Sequence, residues 1–102
     1  MKREVHFHPN AEADLFGLYN YIATHAGLTV AGEYIERLEA ACLTLATYSE
    51  RGTKRDDLQP GIRTIGFERR ATIAFRVLKE RVEIMAIAYG GRDFEAELRD
   101  KR

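Results

Sequence analysis

An arginine and an aspartate, Arg92 and Asp93, follow directly on the double glycine Gly90-Gly91, where the apolar run VEIMAIAY (82–89) stops. A guanidinium on a pliable hinge suits two kinds of chemistry. It can stabilise charge on a reacting oxyanion, or it can grip a carboxylate of another polypeptide through its planar fork. Arg63, Arg69, Arg70 and Arg76 add four further cations in the preceding thirty residues. Catalysis would also require a proton donor and acceptor within reach. His6 and His8, two apart, would put both imidazoles on one side of a strand, but no carboxylate or cysteine nearby in sequence completes a metal set. Solvated side chains are the expectation there, with no metal and no cofactor. Cys42 falls on an apolar helical stripe and reads as a small core residue. The double glycine lacks the strand-to-helix setting of a phosphate loop.

At 102 residues the chain has room for one domain, 1–102. Its 45% hydrophobic and 31% charged content is that of a globular protein in water. No apolar run approaches the ~20 residues of a membrane span, and MKREVHFHPN does not resemble a signal peptide. One cysteine cannot make an internal disulfide, so the expected location is the cytoplasm. Net charge is zero but uneven: residues 1–50 carry three basic and seven acidic side chains, residues 51–102 thirteen and nine. That asymmetry allows a basic binding face in the second half.

The elements that must position these residues can be read from periodicity. REVHFH (3–8) alternates like a half-buried strand, stopped by Pro9. Asn10 is the expected cap of a first helix, with Glu12 and Asp14 in its first turn and Ala11, Leu15, Leu18, Ile22 and Ala26 forming its apolar stripe. Gly27 ends it. Thr29 is the expected cap of a second helix reaching about Tyr48, whose buried face is Ala31, Tyr34, Leu38, Cys42 and Leu45. So short a link makes a helical hairpin. SERGTKRDDLQPGI (49–62) reads as a loop, and strands over about 62–67, 71–78 and 82–89 are joined by antiparallel hairpins. The last strand, apolar on both faces, suits an interior position. The order β-α-α-β-β-β gives an α+β fold, a helical hairpin packed on one face of a mainly antiparallel sheet. Phe16 and Tyr21 lie roughly 100° or more to either side of the first helix's stripe, which makes them exposed aromatic anchors for a partner.

With these pieces in this order, the chain resembles the ParE toxins of the RelE/ParE superfamily, the toxin halves of bacterial toxin–antitoxin, or plasmid-stabilisation, modules. VHFHPNAEADLFGLYNYIA resembles the family's opening strand and first helix, SERGTKRDDLQPGIRTIGFERRATIAFRV its loop and central hairpin, and EIMAIAYGGRDFEAEL its last strand and Gly-Arg-Asp signature. The resemblance implies a toxin that inhibits DNA gyrase by contact and is neutralised by a ParD-type ribbon-helix-helix antitoxin, in a complex that dimerises through the antitoxin. It implies neither sequence-specific nucleic acid binding nor membrane association. Arg92, Asp93, Arg69 and Arg70 are the residues expected to meet the target. Phe16, Tyr21, Arg63, Arg76 and Arg92 are those expected to meet the antitoxin.

The superfamily also contains RelE-type ribosome-dependent mRNA endoribonucleases, the alternative reading. Those enzymes carry an arginine on the middle strand, at the position of Thr72 here, and a C-terminal tyrosine or histidine, near Leu98. FEAELRDKR (94–102) contains neither Tyr nor His. Arg92 matches one of their cations, but a cation without a proton-transfer partner grips rather than cuts.

Overall fold

The computed structural model describes residues 2–90. The strand β1 (Glu4–Phe7) leads into helix α1 (Pro9–Ala26), helix α2 (Leu28–Leu43) and a 3-10 turn (Thr44–Ala46). The sheet then continues as β2 (Thr53–Lys54), β3 (Ile62–Phe67), β4 (Ala71–Val77) and β5 (Arg81–Tyr89). Spatial order is β1-β5-β4-β3-β2, antiparallel except where β1 runs parallel to β5. The last strand is thus interior, as its two apolar faces require. The α+β architecture is the expected one, with a short edge strand at each side.

Local details differ from the sequence reading in ways that have physical causes. The cap of α1 is His8, not Asn10: its Nδ1 accepts from the Asn10 N–H at 3.1 Å, and Pro9 takes the first helical position, where a missing N–H costs nothing. β1 ends at Phe7, and His8, one residue beyond it, is committed to the helix cap while His6 bonds Glu4. Asp14 sits beyond the first turn of α1 and serves the sheet instead of the helix dipole. Ala26, the last residue of α1, is exposed and not part of the buried stripe. Gly27, at φ 97°, ends α1 and also opens α2, so Thr29 is not a cap. A single left-handed residue makes the whole hairpin link, and glycine alone adopts it without strain. The second helix stops at Leu43, five residues short of Tyr48, and tightens into the 3-10 turn that buries Leu45 and Ala46.

The main core lies between the helical hairpin and the sheet. Leu18 and Ile22 of α1 and Tyr34, Leu38 and Cys42 of α2 pack on Ile73 and Phe75 of β4 and on Val82, Ile84 and Ile87 of β5. β5 keeps this face only because it is irregular. Ala74 pairs with Ala86 but Phe75 pairs with Ile84, so Met85 is an extra residue, and the alternation shifts by one at this bulge.

The opposite face has its own small core, which the sequence reading missed by treating 49–62 as a plain loop. Leu58 folds back onto Ile62, Ala74, Ala86 and Ala88. The segment is held by turn hydrogen bonds, Leu58 N–H to the Arg55 carbonyl at 3.0 Å and Arg55 N–H to the Ile62 carbonyl at 2.8 Å, and it contributes β2 to the sheet edge. Gly52 permits that docking. Its φ is 79°, and a Cβ there would stand 2.3 Å from the Thr64 carbonyl oxygen.

Candidate functional site

β5 is nine residues long and β1 only four, so β1 covers β5 no further than Ile84. Beyond that point the flank of α1 takes over. The Asp14 carboxylate reaches across and accepts the Ile87 N–H at 2.9 Å, which satisfies a backbone donor that β1 is too short to meet. Between α1 and the end of β5 lies an open cleft of about 470 Å³, lined by Ala13, Asp14, Gly17, Leu18, Tyr21, Arg70, Ile87, Tyr89 and Gly90. Gly17 has no side chain to fill it.

Aromatic rings extend from this cleft along one end of the molecule. Tyr21 stacks on His25 at 4.3 Å and faces Tyr89 at 5.9 Å; Tyr89 meets Tyr34 edge-on at 5.8 Å, and Tyr34 meets Phe67 edge-on at 5.6 Å. Such tilted and edge-to-face contacts add about 0.5–1.5 kcal/mol each beyond area burial. The Tyr34 hydroxyl is buried without a hydrogen-bond partner among the described residues, and burial, aided by Tyr89, pushes its pKa up to about 12. It is no acid or base at neutral pH. Burial likewise pushes the Cys42 thiol up to about 12, so it packs and does not attack.

The β3–β4 connection brings one cation, Arg70, to the cleft lining, with Arg69 beside it in the turn. Arg69 and Arg70 are both exposed, and neither makes an ion pair among the described residues. Arg70 is also tied to the end of β5, since its carbonyl accepts the Gly90 N–H at 2.9 Å. The remaining expected arginines are placed elsewhere. Arg76, on the open face of the sheet, donates to Glu83 at 2.7 Å, and Arg81 donates to the same carboxylate at 3.0 Å. Arg63 points to the helix-side face, 3.9 Å from Glu50 and bonded to the Arg51 carbonyl at 3.4 Å. Both would have to leave an intramolecular partner to hold an external one.

Of the two aromatic anchors, each is exposed, Phe16 at 70% and Tyr21 at 52%, but five helical positions separate them by roughly 140° around α1. Tyr21 belongs to the cleft; Phe16 does not. Arg92 and Asp93 lie outside the described residues. Thr72 is flanked in register by Gly66 and Ala88, neither ionisable. His6 is exposed and bonded to Glu4 at 2.9 Å, and no group of three or more metal-ligating side chains occurs among the described residues. Two features of the site escaped the sequence reading: Asp14, masked as a helix-dipole residue, and Tyr89, masked as the end of an apolar run.

Two predictions arise from this geometry. Asp14→Ala should lower stability by about 1–2 kcal/mol, because it strands the Ile87 N–H, and thermal melting should fall by about 4 °C or more. The second concerns acid. Glu68 is held below the usual carboxylate range chiefly by its hydrogen bonds from Arg37, and Glu83 by that from Arg76. A carboxylate whose pKa is depressed on folding contributes stability above the unfolded range near 4.3, and that contribution is lost as pH falls through the folded value. Glu68→Gln with Glu83→Gln should therefore flatten the acid limb of a stability profile below about pH 4.5, measured by denaturant titration at each pH.

The fold and site together define a class, the small α+β domains in which a helical hairpin roofs one face of a mainly antiparallel sheet. Residues 5–94 match the family model of the ParE toxin of type II toxin–antitoxin systems, parDE, and the chain belongs to that family. A solved chain of the chromosomal ParDE TA system from P. aeruginosa superposes with a TM-score of 0.76 at 23% identity, covering 87% of this chain and 97% of that one. No curated protein matches the sequence. No helix among the described residues is long and apolar enough to cross a membrane.

Proposed function

We propose that the chain arrests bacterial growth by gripping DNA gyrase, and that a ParD-type ribbon-helix-helix antitoxin neutralises it by covering the cleft between α1 and β5. The observation that carries this reading is the pairing, at one end of the molecule, of an apolar aromatic cleft with two exposed guanidinium groups, Arg70 on the cleft lining and Arg69 its neighbour in the turn, neither in an ion pair among the described residues. An antitoxin helix or extended segment with an apolar side and acidic side chains fits that surface: Tyr21 and Tyr89 offer contact area, and the arginines offer bidentate donors. The same arginines then serve the target when the antitoxin is gone. Family membership supports a toxin paired with an antitoxin. The ribonuclease alternative finds little support in Thr72, Gly66 and Ala88, which offer neither cation nor proton-transfer group.

The test is supercoiling by purified gyrase with the purified protein added. Inhibition at near-stoichiometric ratios, relieved by antitoxin, is expected. Undiminished supercoiling at large excess, or scission of ribosome-bound transcripts at codon boundaries soon after induction, would remove gyrase as the target.

A further inference from the structure

Three residues, Glu68, Arg69 and Arg70, connect the paired positions Phe67 and Ala71. The Arg70 N–H bonds back to the Phe67 carbonyl at 3.2 Å, closing a tight turn whose two central residues are both left-handed, Glu68 at φ 49° and Arg69 at φ 62°. Turns of this kind normally use glycine, asparagine or aspartate, because a Cβ in the left-handed region crowds its own backbone. Glutamate followed by arginine is an unfavourable choice on local grounds, so something outside the turn must hold it.

The geometry points to Arg37 as that holding group. We infer that Arg37 is a positioning residue, a catch on α2 that grips Glu68 and fixes the left-handed turn that carries Arg69 and sets Arg70 at the cleft. Its Nε and Nη2 donate to the two carboxylate oxygens of Glu68 at 2.9 and 3.1 Å, a fork-to-fork contact that fixes orientation as well as distance. The guanidinium lies 5.5 Å from the centre of the Tyr34 ring, and Tyr34 is buried between Phe67 and Tyr89. The catch is thus seated on the rings that back the cleft. A second tether, Gly90 N–H to the Arg70 carbonyl, fixes the other side of the same turn. Sequence separation hides the device, since Arg37 and Glu68 are thirty-one residues apart.

An isolated surface ion pair contributes little to global stability, so a melting temperature would not reveal this role. Hydrogen exchange at single amides would. Arg37→Ala should leave the core amides protected while exchange at the Arg70 and Gly90 amides accelerates up to about fivefold, the range open to an exposed pair. Glu68→Asn added to Arg37→Ala should bring both amides back to within about twofold of the wild type, because asparagine tolerates the left-handed region unaided. Unchanged exchange in Arg37→Ala, or no recovery on adding Glu68→Asn, would overturn the catch. Its link to toxicity rests on the proposed function and is read separately, from growth after induction. Arg37→Ala should weaken arrest and the double variant restore it. Altered exchange with undiminished arrest would leave the catch standing and remove Arg69 and Arg70 from the poisoning surface.

Discussion

Replacing Phe75 by alanine is expected to destabilise the protein by about 3–5 kcal/mol, a large part of the 5–15 kcal/mol that holds a domain of this kind together. Phe75 is the largest fully buried side chain among the described residues and sits in mid-sheet on β4, where the helical hairpin closes over it. The site cannot collapse around the void, because the Met85 bulge beside it fixes which residues of β5 face the helices. A fall in melting temperature of at least about 12 °C should follow. Phe16→Ala is the matching control: the same chemical change on a 70% exposed ring should move stability by no more than about 0.5 kcal/mol. Circular dichroism melts of both variants decide the matter. Equal shifts would mean that the burial assigned to Phe75 is wrong.

That contrast shows what a sequence of this kind makes legible. The 3.6-residue period placed Leu18, Leu38 and Cys42 inside and left Phe16 and Tyr21 outside, since both facts follow from angle around a helix axis. The four longer strands and the interior position of β5 followed from apolar patterning in the same way, whereas the two-residue β2 did not. What could not be read depends on contacts distant in sequence. Leu58 lay in a polar, proline-containing stretch, and only the fold shows that Ala74, Ala86 and Ala88 leave a shallow bed for it. Asp14 fitted the acidic opening of a helix so well that its bond to Ile87, seventy-three positions away, gave no local sign. His8 won the cap from Asn10 because Pro9 fixes where the helix begins. The site was half legible. Arginine composition does not say how the guanidinium groups partition among Glu50, Glu83 and solvent, which depends on sheet register, and a one-residue bulge is enough to change it. Arg63 and Arg76, expected at the antitoxin, are paired with Glu50 and Glu83, whereas Arg69 and Arg70, expected at the target, are exposed.

Charge reversal at the turn, Arg69→Glu with Arg70→Glu, is expected to weaken growth arrest and antitoxin binding together, each by at least about 100-fold, or roughly 2.8 kcal/mol. Removing one partner of a desolvated charge pair costs about 2–5 kcal/mol, and reversing two cations adds repulsion from the acidic side chains they would have held. The fold should not suffer. Both side chains are exposed, neither has an ion-pair partner among the described residues, and the backbone tether between Gly90 and Arg70 does not depend on what Arg70 carries. Arg63→Glu offers the informative comparison. That substitution breaks an existing contact with Glu50 away from the cleft, so any effect should appear in stability more than in binding. The wild-type interaction should also lose association rate as salt rises, because exposed cations steer encounter over a distance that ionic strength shortens. If the double reversal binds antitoxin and arrests growth as the wild type does, at every salt concentration, then the turn's cation pair is ornament to the interaction, and recognition must reside in the aromatic surface of Tyr21 and Tyr89 alone.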